Sequence, residues 1–294
     1  MAAATLTGLT HKKETSVPSS TTPDTALPHF ETIRLSQQGA VATITLNRPQ
    51  RLNAAPPQMF DEIHAALRQL PALGARALLI TGEGRAFCSG ADLQPGALTG
   101  NNTAGPSRGA QAFKALTESY SPALLALAQL PIPVVTAVNG PAAGIGCSLA
   151  LAADFTLAGR SAYLLAAFVN IGLVPDGGAT WMLTRQVGRA RATEIMMLGE
   201  RIGAEKAEQW GLIYRAVDDA ELQAQAMALA ERLAHGPTRA LGLMRQGLAR
   251  ALEQSYAEAL ASEATNQAMA ADSADAAEGG LAFLERRKPV FKGA

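Results

Sequence analysis

Asn139-Gly140-Pro141-Ala142-Ala143-Gly144-Ile145-Gly146-Cys147-Ser148 follows the apolar run Pro133-Val134-Val135-Thr136-Ala137-Val138 and opens a helix-like stretch, Ile145–Ala152. A second segment repeats the construction: Cys88-Ser89-Gly90-Ala91-Asp92-Leu93 comes shortly after the strand-like Ala77-Leu78-Leu79-Ile80-Thr81. Small residues at the ends of two neighbouring strands can bring two backbone N–H groups onto one point, where they would hold a developing oxyanion. Farther along, Gly172-Leu173-Val174-Pro175-Asp176-Gly177-Gly178 carries an isolated acid. A carboxylate near such a point could move the proton that creates the oxyanion. Read alone, each glycine-rich turn needs nothing beyond tight strand-to-helix packing. The pair, in order and followed by Asp176, points to chemistry.

Around these turns, apolar strand-like runs alternate with helical spacing. Phe30–Ser36 and Val41–Leu46 alternate apolar and polar residues across Gln37-Gln38-Gly39-Ala40, as a hairpin or meander does. Pro56–Leu70 carries Met59, Phe60, Ile63, Ala66 and Leu67 at helical spacing. Ala75–Thr81, Val134–Val138, Phe155–Leu157 and Leu212–Val217 read as further strands. This alternation predicts an α/β fold with parallel strands. From Pro237 onward the pattern is helical: Thr238–Leu252, Tyr256–Met269 and Ala274–Arg286, the last with Asp272 or Ser273 as N-cap.

Composition narrows the function classes. Twenty-five basic and 25 acidic side chains cancel, which argues against a nucleic-acid binder. No run of eighteen apolar residues marks a membrane span. Cys88 and Cys147 form neither a disulfide framework nor a metal set; each reads as a small buried side chain, and a reducing, cytoplasmic setting suits them. Residues 1–28 are rich in Ala, Ser, Thr and Pro and lack an apolar signal core, so they read as a disordered tail. Residues 94–109 are aperiodic and dominated by Gly, Pro and Asn; a flap over a site and a plain surface loop are both open readings. Gly144-Ile145-Gly146 lacks the third glycine of a dinucleotide fingerprint, so no NAD is expected.

Phe87–Leu93, Pro133–Leu151 and Ile171–Thr180, together with Asn47-Arg48-Pro49 and Ala282–Pro289, resemble the crotonase (enoyl-CoA hydratase/isomerase) superfamily over the chain from about His29 onward. The resemblance implies a ββα spiral over residues 29–235. It implies a C-terminal helical region over 236–294 that packs between subunits of a homotrimer or a dimer of trimers. It also implies an acyl-CoA thioester as substrate, with no metal and no cofactor beyond the substrate's coenzyme A. By motif match, the backbone N–H groups of Ala91 and Ile145 stand where the family's oxyanion donors stand. Ser148, Leu164, Phe168 and Trp181 would line the acyl pocket, although Trp181 reads first as a core residue. Arg51, Lys288 and Lys292 would meet the coenzyme A phosphates, and Gln94 stands where the family often has a lysine.

The departures from the family pattern carry information about the reaction. Hydratases of the family use two glutamates, at the positions held here by Ser148 and Phe168. Serine is a poor base at neutral pH and phenylalanine moves no proton, so standard hydration is not expected. Asp176, after Val174-Pro175, is placed as in the family's isomerases and most resembles the epoxyphenylacetyl-CoA isomerase branch. That branch is also matched at Ala190-Arg191-Ala192, Leu198-Gly199-Glu200 and Ala207–Ile213. One carboxylate suffices for a double-bond shift. The alternatives are a hydratase or lyase with a non-standard base, and a catalytically silent assembly protein. Dehalogenation is distant, because Gln111–Asn139 contains no histidine base. Asp176 could instead cap a turn or the following helix. Asp92 and Asp154 read as structural hydrogen-bonding groups, and His11, His64 and His235 as surface residues.

Overall fold

The computed structural model describes residues 27–93 and 105–294. All but the last two residues of the expected tail, and positions 94–104 of the expected flap, lie outside the described residues.

The strands β1 (Ile33–Gln38), β2 (Val41–Leu46), β3 (Ala77–Gly82), β4 (Val134–Val138), β6 (Phe155–Gly159) and β9 (Arg215–Val217) form one sheet in the order β1-β2-β3-β4-β6-β9. Only the β1–β2 hairpin is antiparallel; every other pair is parallel. Parallel strands are covered on both faces, and so they read as continuous apolar runs. All residues of β2, β3 and β4 are accordingly buried. The two faces separate by alternation. Leu78 and Ile80 of β3 join Met59, Phe60 and Ile63 of helix α1 (Pro57–Gln69), whereas Ala77 and Leu79 join Leu222, Ala226 and Ala230 of a helix spanning Leu222–Ala234.

A second, smaller sheet makes the chain a spiral. Its strands β5 (Ala142–Ala143), β7 (Tyr163–Leu165) and β8 (Ile202–Gly203) pair in that order. Strand β4 runs into β5 and then a helix; β6 runs into β7 and then a helix. Cys88, after β3, bridges to Ala142 and so begins the same short ladder one turn earlier. Successive ββα turns therefore stack, and the fold is the α/β spiral that the resemblance implied.

The C-terminal helices Thr238–Ala251, Tyr256–Ala271 and Ala274–Glu285 bury little. Arg245 fastens the first of them to the core through Asp154 and the carbonyls of Ala128 and Leu130. After the last helix the chain doubles back. Asp275 accepts from the N–H groups of Lys292 and Gly293, and Arg76 donates to the Phe291 carbonyl.

Several boundaries differ from the sequence expectation. The first strand starts at Ile33 rather than Phe30, because the Glu62 carboxylate takes the N–H groups of Glu31 and Thr32. The last strand shrinks to Arg215–Val217, because the Leu212 and Ile213 N–H groups turn back to the Ala207 carbonyl. Arg108 and Gly109, expected in the loop, lie in a helix that Ser107 caps through the Ala110 N–H.

Candidate active site

The two glycine-rich turns meet at the carboxyl ends of β3 and β4. The Cys88 N–H donates to the Pro141 carbonyl at 3.0 Å, and the Ala143 N–H donates to the Cys88 carbonyl at 2.9 Å. Gly146 explains why the second turn is so small. A side chain there would begin 2.4 Å from the Cys88 carbonyl oxygen, so only glycine lets the helix Ile145–Leu151 approach the first turn. Ala55 holds the first turn from its other side: its N–H donates to Gly90 and its carbonyl accepts from Asp92. Among the described residues, no backbone hydrogen bond uses the Ala91 N–H or the Ile145 N–H. Ala91 is exposed, whereas the Ile145 side chain is buried.

Asp176 is brought onto this turn by its neighbour. Gly177 has φ +61°, and a side chain on it would begin 2.5 Å from Ile145 Cδ1 and 2.8 Å from Ser148 Cβ. The Asp176 carbonyl accepts from the Ala179 N–H at 3.1 Å and from the Ser148 hydroxyl at 2.9 Å. Its carboxylate is partly buried, and among the described residues Oδ1 has no hydrogen-bond partner. The alternative of Asp176 as a cap fails on this point. The helix Ala179–Leu198 has Gly178 at its N-cap and no side-chain cap. Burial pushes the Asp176 carboxyl up to about 6. A half-buried acid with an unpartnered oxygen, poised near neutral pH, has the properties of a general base.

The remaining expected residues fall into place unevenly. Leu164 is buried on β7, paired with Ala142, and the buried Phe168 ring lies 4.0 Å from where a side chain on Gly144 would begin. Both flank the second turn, as does Ser148. Trp181 differs from the core reading: it is 44% exposed, its indole N–H donates to Glu253, and Arg185 stacks on its ring. Glu253 takes the indole N–H at the ring edge and Arg185 stacks on the ring face, and together they hold the indole outward. Arg51 stands beside the first turn with its guanidinium on Asp92 at 2.7 Å. Lys288 and Lys292 are exposed. Lys292 lies between Phe291 and Gly293, which touch Arg76 just before β3, at the end of that strand away from the turns.

Asp92 is structural, as expected: Arg48 and Arg51 both bind it and hold its carboxyl below the usual range against the opposing effect of burial. Asp154 likewise binds Arg245 and the Val134 N–H. Cys88 and Cys147 are buried, and burial raises their thiols to about 11 and about 12, so neither is a thiolate at neutral pH.

Sequence reasoning missed Tyr120. This residue ends a π-helical turn, Leu116–Tyr120, packs edge-on against Phe60 and donates its hydroxyl to the Ala55 carbonyl at 2.8 Å. It thus braces the segment that holds the first turn. Burial, and after it the charge of Asp176, raise its phenol above the ordinary value. A π-turn widens a helix by one residue and leaves no periodic mark that a short apolar run would reveal.

The half-buried acid Asp176 and the N–H groups of Ala91 and Ile145 lie on turns that follow parallel strands of one fold. The enoyl-CoA hydratase/isomerase family description matches residues 36–294, and the chain belongs to that family. A Rhodobacter capsulatus protein named as a probable enoyl-CoA hydratase is 44% identical over 90% of this chain and 99% of its own length. The 1,2-epoxyphenylacetyl-CoA isomerase of Escherichia coli K12 is 42% identical over 86% of this chain and 95% of its own. The solved structure of an enoyl-CoA hydratase from Bacillus anthracis superposes with a TM-score of 0.82 at 30% identity, covering 90% of this chain and all of that one. Among the described residues, no helix is long and apolar enough to cross a membrane.

Proposed function

We propose that the protein is an acyl-CoA isomerase that transfers a proton through a thioester enolate or dienolate. The observation that carries this reading is the Asp176 carboxylate: unpartnered at Oδ1, raised toward neutrality by burial, and docked on the turn that presents the Ile145 N–H. The thioester oxygen would sit between the Ala91 and Ile145 N–H groups. Asp176 would take a proton from the carbon next to the thioester carbonyl, the two donors would hold the dienolate oxygen, and the same carboxyl would return the proton farther along the chain. Hydration needs a second acid/base group, and the two positions that would supply it hold Ser148 and Phe168. The 42% identity to an epoxyphenylacetyl-CoA isomerase supports this choice and makes ring-derived acyl-CoAs substrates to test beside linear enoyl-CoAs.

The reaction so written needs no cofactor beyond the coenzyme A of the substrate. Ser148, Leu164 and Phe168 would bound the acyl group near the second turn, with Trp181 at its outer rim. Arg51 would meet a coenzyme A phosphate from beside the first turn. Lys288 and Lys292 would do so from a neighbouring subunit of a trimer or a dimer of trimers, since Lys292 lies toward the far end of β3 in its own chain.

The test is Asp176→Asn, which keeps shape and removes the proton acceptor. Loss of a general base costs about a hundred- to ten-thousand-fold in rate. The variant should bind acyl-CoA like the wild type and lose both isomerisation of 3-enoyl-CoA and exchange of the alpha proton in deuterated water. Exchange and isomerisation at wild-type rates would remove the only base in this scheme.

A further inference from the structure

One polar group at the site is not used by this chemistry: the hydroxyl of Ser148. It lies in the helix Ile145–Leu151 and is completely buried. A buried hydroxyl costs stability unless it finds a partner. Ser148 Oγ stands 3.5 Å from the Gly144 carbonyl of its own helix, but its short bond, 2.9 Å, runs to the Asp176 carbonyl 28 residues away. That carbonyl also accepts from the Ala179 N–H, so the turn is closed by its own backbone on one side and tied to the helix on the other. Gly177 seats the turn directly on Ile145 and Ser148.

We infer that Ser148 is a positioning residue for Asp176: its hydroxyl fixes the turn to the Ile145–Leu151 helix and so sets where the carboxylate stands relative to the Ile145 N–H. The inference rests on the reading of Asp176 as the base. Ser148 moves no proton itself, because its single O–H is committed to a carbonyl. A side chain at position 177 would begin 2.8 Å from the Ser148 Cβ, so the absence of one there lets the turn sit directly on position 148. The residue that replaces the family's glutamate therefore has a use of its own. It converts the helix that would carry one base into the platform that holds another.

Loss of the hydroxyl should loosen the turn and admit water to the carboxylate, which relieves the desolvation that raises it. The titratable group that senses Asp176 is the Tyr120 phenol, itself bonded to the Ala55 carbonyl. The test uses full-length wild type, Ser148→Ala, Ser148→Cys and Asp176→Asn. Hydrogen exchange of the amides in residues 173–178 is followed by mass spectrometry, and kcat, KM and the pH profile are measured with 3-hexenoyl-CoA. One hydrogen bond of ordinary strength corresponds to about a three- to tenfold effect. In Ser148→Ala the segment should exchange faster by that factor, kcat should fall by a similar one with KM little changed, and the acid limb should move to lower pH. Ser148→Cys, with its weak S–H donor, should fall between. Wild-type exchange and wild-type kcat in Ser148→Ala, with Asp176→Asn inactive, would overturn the positioning role alone. Wild-type turnover in Asp176→Asn would overturn the base, and the inference with it.

Discussion

Two helices of this chain show opposite economies. Every residue of Ile145–Leu151 is buried, and none of Tyr256–Ala271 is. The first is wedged between two sheets and two backbone turns of its own chain. The second packs on its helical neighbours and leaves Tyr256 80% exposed, beside a C-terminal helix with Phe283 83% exposed. Large exposed apolar patches mark interaction sites. The first helix owes its precision to its own chain, and in the reading proposed above other copies of the chain cover the second.

The largest effect should follow from breaking the first helix. Gly146→Val places a side chain where the Cys88 carbonyl stands and forces the two turns apart. Loss of one oxyanion donor costs about a hundred- to a thousandfold in kcat, and overpacking adds about 1–3 kcal/mol of destabilisation. Activity measured beside a thermal melt should show turnover falling further than stability explains. Equal losses would place the turn outside the chemistry.

Breaking the second region should change assembly more than chemistry. Leu248→Asp with Phe283→Asp puts charges on two exposed apolar positions of the C-terminal helices. Light scattering should show a trimer or hexamer in the wild type and dissociation in the double variant, while circular dichroism retains the α/β signal. A wild-type monomer would sink the assembly reading.

A smaller effect sharpens the account of Asp176. Its carboxyl titrates near 6 in the folded chain and near 3.8 when unfolded, because burial disfavours the charge. The folded state therefore binds the proton more tightly. The stability this confers is complete below pH 3.8 and lost as pH rises through 6. Asp176→Asn removes that loss, so its melting temperature should gain on the wild type between pH 4 and pH 8. A constant difference across that range would mean that the carboxylate is hydrated.

The order of the elements was legible because each signal was local. Buried parallel strands read as the apolar runs at Leu78–Ile80 and Val134–Val138, and helix spacing placed Met59, Phe60 and Ile63 on one face. Helix ends were legible where a cap is local too: Ser273 accepts from the Ala276 N–H as its position suggested. Where a distant group intervened, the sequence misled. Glu62 ended the first strand from across 30 residues, and Trp181 turned outward to Glu253 across 72. Tyr120 was invisible for the same reason: its hydroxyl partner, Ala55, is 65 residues away.

The sequence by itself determined the α/β alternation, the two small-residue turns and the isolated acid Asp176 in the glycine-flanked segment 172–178. These follow from residue type and spacing, which any local stretch carries; that Ser148 and Phe168 stand where hydratases carry glutamates came from the family resemblance. Only the tertiary structure decided that the turns meet, that Gly146 lets them meet, and that the Asp176 side chain does not cap the following helix and, among the described residues, keeps an unpartnered oxygen. It alone showed that Ser148 holds the Asp176 turn. Burial raises the carboxyl toward neutrality, hydrogen bonds to its main-chain carbonyl hold its turn, and no residue's identity encodes its solvation until the chain around it has folded.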